Sequence, residues 1–411
     1  MSGVSGLSGL LGIGAILLIA FLASANKRAI NPRIVVSAFA LQFGVAVFVL
    51  FTPVGRDVIS AMSGGVRVLL GFSDDGINMV FGPLASEEIG ISFAVHVLPI
   101  IIFFSALMSV LYHLRIMQIV VVVVGGLLRF IIGTRPVESL CASANIFVGQ
   151  TEAPLVVKPY LERLTEPQLF AIMVSGMASV AGTVLAAYAQ LGVNVEYLLA
   201  ASFMAAPGGL LMAKIIMPDD RDEAQKPQDI LELAKAAPPH SNVVMAAASG
   251  AQDGLKLAVN VGAMLIAFVA LIALLNGVIG GLGGLVGFEG VTAQSLLGWA
   301  FAPVMYALGI PWEEARTAGS IFGEKLILNE FVAYISLTEL TDELSDRAEA
   351  IVTFALCGFA NLSSIAILLG GLGSLVPDRM ERIAAIGVRA VLAGSLSNLM
   401  SAALAGVLLT A

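Results

Sequence analysis

The chain has 411 residues, of which 58% are hydrophobic and only 12% are charged, and its net charge is −8. Soluble proteins carry about 25% charged residues, so the composition excludes an ordinary soluble domain and predicts an all-α polytopic membrane protein. The sequence has no basic stripe and no aromatic-rich segment of the kind that binds nucleic acid, so we expect no nucleic-acid partner.

Eight segments are long and apolar enough to cross a bilayer as helices, which takes about 20 residues each. Two further segments predict helices that do not cross. The segment 54–72 mixes charges with apolar positions at helical spacing and should lie along the interface. The segment 116–128 is apolar but short, which favours an interfacial or re-entrant piece. The eight predicted spans are 7–26, 34–53, 91–112, 167–190, 196–216, 257–280, 350–372 and 390–410.

The basic residues predict the orientation, because loops rich in lysine and arginine stay in the cytoplasm. They place the loop after the first span, the end of the third span and the start of the eighth span inside the cell. Both termini are then external, in an inner (cytoplasmic) membrane. The longest polar insertion, 218–241, reads as a cytoplasmic connection with a short helix at 230–235. The basic residues concerned are Lys27, Arg28, Arg33, His113, Arg115, Arg379, Arg382 and Arg389.

A polar kernel interrupts the apolar sequence twice. The first copy is GQTE at 149–152, followed by the tail SVAG at 179–182. The second copy is NE at 329–330, followed by the tail NLSS at 361–364. The repeated order of acidic kernel and polar tail indicates an internal duplication.

The apolar stretches that lead into the two tails align without gaps, 175–178 against 357–360. The tails place Gly, Ser and Asn inside runs otherwise suited to span, which predicts broken helices with free backbone groups. A carboxyl group at membrane depth costs at least a few kcal/mol, so Glu152 and Glu330 are candidate functional groups. Two such carboxyls in a duplicated frame indicate a transporter whose site lies where the repeats meet.

The orientation predicts that both kernels lie on re-entrant hairpins. The segment 136–157 is largely apolar, yet the basic residues around it place both of its ends in the cytoplasm, which a single crossing cannot achieve. The segment 305–340 lies between two spans that both end outside. We therefore expect one hairpin from each side, with tips near 149–151 and 328–330.

These elements predict four consecutive regions. The first holds N-terminal spans and an interfacial helix of a scaffold. The second and fourth are the two repeats of a transport domain, each with a hairpin, a broken span and a further span. The third holds the cytoplasmic connection, an interfacial helix and the sixth span, again as scaffold. The boundaries are 1–115, 116–216, 217–290 and 291–411.

Two thiols and one amine lie in segments expected to be buried, so each needs a role or a partner. Cys141 and Cys357 both lie in apolar sequence and are expected to be free thiols. Lys325, in the second hairpin, either forms an ion pair with the adjacent Glu324 or lies near a water-filled surface.

Three classes of function remain open on the residues alone: a transporter, a channel, and an intramembrane hydrolase with Glu152 and Glu330 as an acid–base pair. The hydrolase is disfavoured because the sequence holds no HExxH motif and no histidine near either kernel. The channel is disfavoured because carboxylates and amides on hairpin tips suit occlusion better than permeation. We expect a transporter and no enzyme.

At these kernels the chain resembles the concentrative nucleoside transporter family, in its bacterial sodium-coupled form. The resemblance covers roughly 90–400 and rests on GQTEAPLVVKPY at 149–160, SFMAAPGGLLMAK at 202–214, NEFVAY at 329–334 and FANLSS at 359–364. It implies eight spans, two re-entrant hairpins and interfacial helices in a homotrimer. It also implies nucleoside import by an elevator motion, in which the domain that carries both hairpins slides against the scaffold.

Carried over by resemblance, two groups of residues would hold a uridine-like nucleoside. The nucleobase group is Gln150, Thr151 and Glu152, with Phe359 nearby. The ribose group is Glu330, Asn361 and Ser364. The chemistry agrees, because an ionised carboxylate only accepts hydrogen bonds and suits the two hydroxyl donors of a ribose.

The resemblance also implies Na⁺ as the coupling ion, held between the first hairpin and the broken fourth span. The implied ligands are the backbone carbonyls of Asn145, Val148 and Val180 and the hydroxyl of Ser179. Thr151 is a possible further ligand. The alternative is proton coupling through Glu152 or Glu330, and the TEAP sequence at 151–154 favours sodium.

Overall fold

The computed structural model describes residues 2–86, 92–219, 240–285 and 290–409, with side chains from residue 8 onward. The described residues contain helices and turns and no strand. The predicted all-α class is therefore confirmed. The predicted short helix at 230–235 lies outside the described residues.

Two of the three N-terminal helices begin where the sequence supplies caps. They are α1 (Ser2–Leu22), α2 (Pro32–Phe51) and α3 (Pro53–Phe81). The Asn31 side chain accepts from the Arg33 N–H at 3.1 Å, and Thr52 Oγ1 accepts from the Gly55 N–H at 3.0 Å. Each cap is followed by a proline, which suits the first turn of a helix. The helix predicted at 54–72 is present and extends to Phe81.

The first repeat contains a hairpin and a broken helix, as predicted. One π-helical turn, Phe93–Val97, leads into α4 (Leu98–His113), and α5 (Ile116–Ile132) follows. The hairpin descends as α6 (Pro136–Ala144), turns over 145–152 and returns as the 3₁₀ helix Ala153–Arg163. The broken span is α7 (Glu166–Ala178) and α8 (Gly182–Gln190), and α9 (Val195–Ile216) completes the repeat.

The predicted sixth span at 257–280 is only the middle of a longer helix, α10 (Val243–Leu285), which has 43 residues. At 1.5 Å per residue such a helix is about 64 Å long, twice the roughly 30 Å of bilayer hydrocarbon. Its N-terminal extension carries Asp253 and Lys256, which excluded it from a hydropathy-based span. The helix begins instead at Val243, directly after Asn242, whose Oδ1 accepts from the Met245 N–H at 2.8 Å.

The second repeat follows the same plan, with a helix before its hairpin as α5 precedes the first. The hairpin consists of α12 (Trp312–Ile327) and α13 (Glu330–Glu339), and the broken span consists of α14 (Asp346–Leu356) and α15 (Ser363–Leu375). The chain ends with α16 (Met380–Leu408). The sequence did not predict α11 (Ala293–Ala307), which packs on α12 at a bend of 118°.

Burial separates the centre of the molecule from its periphery. In each long helix we compare the 18 consecutive residues that are most apolar. The share of these residues that is buried is 89% for α7 with α8, 94% for α9 and 83% for α16, but only 11% for α10. The peripheral helix α10 packs along α4, whereas α9 and α16 pack on α7. Cys141 and Cys357 are buried free thiols, as predicted.

Length and hydropathy identify six helices that could cross a membrane in the described part of the chain, and a seventh if the bent pair α11 and α12 is one span. Three shorter apolar stretches accompany them: Ser8–Leu22, Ile116–Ile132 and Ser363–Leu375. The molecule is thus a polytopic helical membrane protein. The count of eight spans stays a prediction.

Candidate functional site

The two breaks and the two hairpin tips lie against one another. The Phe359 N–H, in the second break, donates to the Ser179 carbonyl in the first break at 3.2 Å. The first hairpin joins the first break, since the Gly182 N–H donates to the Phe147 carbonyl at 3.0 Å. The second hairpin joins the second break, since the Leu362 N–H donates to the Leu326 carbonyl at 3.1 Å. The two hairpins and the two breaks therefore form one hydrogen-bonded unit, at the place where the sequence predicts a site.

Glycine lets the first hairpin approach the broken helix closely. An alanine Cβ at Gly176 would lie 2.7 Å from Gln150 Cβ, well inside the closest normal contact. The helix α7 then ends at Ser179, whose backbone is extended (φ −109°, ψ 170°). The sequence therefore brings the hairpin tip to the break and stops the helix at that point.

Glu330 is buried at the first position of α13 and has two donors. Tyr188 Oη donates to its Oε1 at 2.9 Å, and Asn361 Nδ2 donates to its Oε2 at 3.1 Å. The preceding residue, Asn329, caps α13 by accepting from the Val332 N–H at 2.9 Å. A carboxylate at a helix N-terminus is favoured by the helix dipole. Glu330 is thus held in place with lone pairs left for a ligand.

Asn361 connects Glu330 to the start of α15. Its Oδ1 accepts from the Ser363 hydroxyl at 2.7 Å and from the Ser364 N–H at 2.8 Å, while its Nδ2 faces Glu330. The Ser364 hydroxyl donates to the carbonyl of Phe359, whose ring is half-buried. The predicted ribose group is therefore assembled around one carboxylate.

The first kernel lies next to this group. Gln150 is buried, and its Nε2 donates to Ser364 Oγ at 3.4 Å, while its Oε1 has no partner among the described residues. Thr151 Oγ1 donates to Glu152 Oε1 at 2.8 Å. A buried amide oxygen without a donor is costly, so Gln150 presents an acceptor that a ligand N–H could satisfy.

The two acidic side chains differ in burial. Glu330 is buried, as expected of a carboxyl at membrane depth, whereas Glu152 is exposed in the chain. Exposure to solvent and depth in the membrane are separate quantities, so the predicted membrane depth of Glu152 stays a prediction. Glu152 follows the hairpin turn and occupies the N-cap position of the returning 3₁₀ helix, Ala153–Arg163. An exposed carboxylate beside the buried group is accessible to a ligand.

Two of the residues implied as sodium ligands lie at the first hairpin tip and two in the first break, which the hydrogen bond from Gly182 to Phe147 joins. Asn145 is buried at the end of α6, its Oδ1 has no hydrogen-bond partner, and that oxygen faces Gly176 on α7. In the described residues no amide donates to the carbonyls of Val148 or Val180. The Ser179 hydroxyl donates to the Ser175 carbonyl at 2.9 Å, which leaves its oxygen lone pairs free.

Oxygen atoms of this kind are the ligands that a hard monovalent cation prefers. No cluster of three or more His, Cys, Asp or Glu side chains suitable for a metal occurs in the described part of the chain. An ion bound at the first break would therefore be held by amide, hydroxyl and backbone oxygens, which is the ligand type of unwound transporter helices. The unpartnered Asn145 Oδ1 is the observation that supports the fit.

Sequence reasoning missed Tyr188 on α8. Its ring is fully buried, its hydroxyl contacts Glu330, and it packs on Phe331 and Tyr334 with ring centroids 5.1 and 4.4 Å away. One signal was available: a buried tyrosine hydroxyl needs a polar partner, and Tyr188 follows the first break on the same helix.

Lys325 differs from both expectations. It is fully buried, so it is not near a water-filled surface, and none of the ion pairs among the described residues includes it. Its Nζ donates instead to the Ala355 carbonyl at 2.7 Å and to Asn398 Oδ1 at 2.8 Å. The pair with Glu324 does not form, because adjacent residues on a helix do not face each other.

Three family profiles match the chain in succession. They are described as "Na+ dependent nucleoside transporter N-terminus" over residues 11–84, "Nucleoside recognition" over 94–194 and "Na+ dependent nucleoside transporter C-terminus" over 197–406. Together they include both hairpins and both breaks.

Full-length relatives agree with the profiles. The chain is 51% identical over 397 residues to "Uncharacterized transporter YutK" of Bacillus subtilis, covering 96% of this chain and 98% of that protein. It is 47% identical over 413 residues to "Nucleoside permease NupC" of Helicobacter pylori, covering 98% and 97%.

Solved structures show the same fold. CNTnw in an inward-facing substrate-bound state matches with a TM-score of 0.93 at 49% identity, over 98% of each chain. CNTnw has also been solved in outward-facing and intermediate states, and a variant in an intermediate state matches with a TM-score of 0.92 over 98% of this chain and 98% of that one. These relatives are nucleoside transporters and not enzymes, which removes the hydrolase alternative. The protein belongs to the concentrative nucleoside transporter family.

Proposed function

We propose that the protein imports nucleosides across the inner membrane together with sodium, by an elevator-type motion. The observation that carries the proposal is the group around Glu330, where one carboxylate receives Tyr188 from the first repeat and Asn361 from the second. A ligand at this point would contact both repeats at once, which is the position of the site in duplicated transporters.

The ribose of the nucleoside would bind Glu330, Asn361 and Ser364. A carboxylate has about four lone-pair positions, of which two already accept from Tyr188 and Asn361, so about two remain for the ribose hydroxyls. Such a site rejects analogues without hydroxyls, because its buried polar groups would be left unpaired.

The nucleobase would bind the first hairpin tip. Gln150 Oε1 is buried without a donor and suits a ring N–H, and Glu152 supplies an exposed carboxylate beside it. Thr151 positions that carboxylate through its 2.8 Å hydrogen bond. The half-buried Phe359 ring offers an apolar face for the base.

Sodium would bind at the first break through Asn145, Val148, Ser179 and Val180. The unpartnered Asn145 Oδ1 faces Gly176, and the same glycine lies against Gln150. An ion at this point would order the hairpin tip that contacts the base. Sodium should therefore raise the affinity for nucleoside, and linkage requires the nucleoside to raise the affinity for sodium equally. A proton on Glu152 or Glu330 is the alternative coupling ion.

The elevator motion would divide the molecule along the regions expected from sequence. The repeats at 116–216 and 291–411 share hydrogen bonds through both breaks and would move as one domain. The helices α4 and α10 pack together at the periphery and would form scaffold, with lipid and the other subunits of a homotrimer around them. CNTnw, with the same fold, has been solved in inward-facing, outward-facing and intermediate states.

Uptake of radiolabelled uridine into proteoliposomes tests the proposal. With choline replacing sodium outside at fixed pH, we expect uptake to fall to the level of protein-free liposomes. Uptake that ignores sodium but follows an imposed pH gradient would replace sodium with a proton as the coupling ion. Absence of uridine uptake under either gradient would contradict the assignment of uridine-like substrates.

A further inference from the structure

Tyr188 is a fully buried tyrosine whose hydroxyl group reaches the carboxylate at the centre of the proposed site. Its Oη donates to Glu330 Oε1 at 2.9 Å, and its ring packs on Phe331 and Tyr334 of α13. The family resemblance implies no role for Tyr188 in binding the nucleoside or the sodium ion. Through this hydrogen bond the first repeat, which carries Tyr188, nevertheless contacts the carboxylate of the second repeat.

The helix that carries Tyr188 begins at the proposed sodium site. α8 starts at Gly182, directly after the break that contains the implied ligands Ser179 and Val180. The Gly182 N–H donates to the Phe147 carbonyl on the first hairpin at 3.0 Å. The position of α8 therefore depends on how the break and the hairpin tip are ordered.

α8 is short enough to transmit a displacement of its first residue to Tyr188. At 1.5 Å per residue, the helix rises about 9 Å from Gly182 to Tyr188 and moves as a unit over that distance. The ring of Tyr188 then carries the hydroxyl group with it. A hydrogen bond of 2.9 Å is lost when donor and acceptor separate by about a further 0.5–1 Å, so a small shift of α8 suffices to break it.

A cation at the first break would fix the start of α8. The implied ligands there are backbone, hydroxyl and amide oxygens, and Asn145 Oδ1 has no donor among the described residues. Oxygen atoms that face one another without a donor or a cation repel each other. A bound sodium ion would draw them together and hold α8 against the first hairpin.

We propose that Tyr188 is a positioning residue that transmits sodium binding at the first break to the carboxylate that binds the ribose. With sodium bound, α8 holds the Tyr188 hydroxyl group on Glu330 Oε1, which orients the other lone pairs of Glu330 towards the nucleoside. Without sodium, α8 shifts and this hydrogen bond is lost. The inference rests on the proposed sodium coupling, and it adds a route to the ribose beside the route through the hairpin tip to the base.

Tyr188→Phe tests the inference, because it removes the hydroxyl group and keeps the buried ring. The measurement is calorimetric binding of uridine to the purified protein, in saturating sodium and in choline at the same ionic strength and pH. In sodium we expect the variant to bind uridine about tenfold more weakly than the wild type, since one hydrogen bond to a charged group is lost. In choline we expect equal affinities, because neither protein makes the bond there.

Tyr334→Phe is the matched control. Tyr334 is also fully buried and packs on Tyr188, but its hydroxyl group donates to the Thr353 carbonyl at 3.0 Å and not to Glu330. The compared quantity is the uridine Kd in choline divided by the uridine Kd in sodium. This ratio should equal the wild-type ratio in Tyr334→Phe and should fall about tenfold in Tyr188→Phe. Thermal unfolding in sodium shows whether each variant is folded.

Glu330→Gln provides a second variant, which keeps Tyr188 in place. It should lower the same Kd ratio, because the proposed route ends at this carboxylate. In the double variant, Tyr188→Phe should lower the ratio no further, because the two substitutions interrupt one route and their effects are not additive.

Three outcomes for Tyr188→Phe would overturn the inference. The first is the wild-type affinity for uridine in both salts. The second is an equal loss of affinity in both salts, or loss of folding in sodium, which would make the hydroxyl group a structural one. The third is a further fall of the Kd ratio when Tyr188→Phe is added to Glu330→Gln, which would place its action elsewhere.

Two results from the other proteins also decide. An equally large fall of the Kd ratio in Tyr334→Phe would overturn the inference, because any lost buried hydroxyl group would then have the same effect. A wild type whose uridine affinity does not respond to sodium is a different result. It would contradict the proposed coupling itself, and the inference with it.

Discussion

Glu330 and its two hydrogen-bond donors come from three separate elements. Tyr188 comes from α8, Asn361 from the second break, and Glu330 itself from the second hairpin. A ligand that binds this carboxylate therefore senses the relative positions of all three elements. For this reason, we expect substitution of Glu330 to have the largest effect of any single substitution on substrate binding.

Glu330→Gln removes one negative charge and turns part of an acceptor into a donor, while the side chain keeps its size. Hydrogen bonds to charged groups contribute about 1.5–3 kcal/mol each, so we expect uridine binding to weaken about 10- to 100-fold. The measurement is calorimetric binding of uridine, 2′-deoxyuridine and 3′-deoxyuridine.

The wild type should prefer uridine to at least one deoxy analogue, and the variant should lose most of that preference. Tyr188→Phe is the control, because it removes one donor to Glu330 but keeps the charge and the ring packing. An undiminished preference for uridine in Glu330→Gln would place the ribose elsewhere.

At the residue scale, the sequence predicted the side chains that lie in the duplicated kernels. Gln150, Asn361 and Glu330 were recognisable because polar groups interrupt apolar runs, which is costly without a function. Tyr188 was missed because a single tyrosine in an apolar helix has no distinguishing pattern. The partner of Lys325 was predicted wrongly, since Asn398 lies in another helix far along the chain.

Close packing between the first hairpin and α15 is the clearest constraint at the scale of elements. An alanine Cβ at Gly371 would lie 2.4 Å from Thr151 Cγ2, whereas one at Gly370 meets no atom within 4 Å. There is therefore room for an alanine side chain at Gly370 but not at Gly371. Only Gly371 touches the hairpin tip.

Gly371→Ala should push the hairpin tip away from the second repeat and weaken uridine binding, whereas Gly370→Ala should leave binding unchanged. Alanine in a helix is favoured over glycine by up to about 1 kcal/mol, so Gly370→Ala should also unfold at a slightly higher temperature. The measurement is uridine affinity together with thermal unfolding of both variants. Equal affinities for the two variants would contradict the observed packing of Thr151.

The sequence predicted breaks better than helix lengths. Both hairpins and both breaks lie where Gly, Ser and Asn interrupt apolar runs, because those residues weaken helices directly. The ends of α10 were predicted wrongly, since a cap at Asn242 starts the helix long before the hydrophobic stretch. The helix α11 was missed, since its 15 residues are too few for a span.

At the scale of the whole molecule, two repeats share one centre. The buried helices α7, α8, α9 and α16 surround the breaks, and α4 and α10 lie outside them. Composition and the duplicated kernels sufficed to predict a polytopic transporter with a site between repeats. Which helices move and which stay fixed depends on interfaces between helices, which hydropathy does not encode.

The central claim is that one nucleoside site lies between the two hairpin tips and the two breaks. A structure of the purified protein with 5-bromouridine and sodium, phased on the bromine anomalous signal, tests it most directly. We expect the ribose within hydrogen-bonding distance of Glu330 and Asn361, and the brominated base beside Gln150. Bromine signal located only outside this group, with Gln150 Oε1 still unpaired, would contradict the claim.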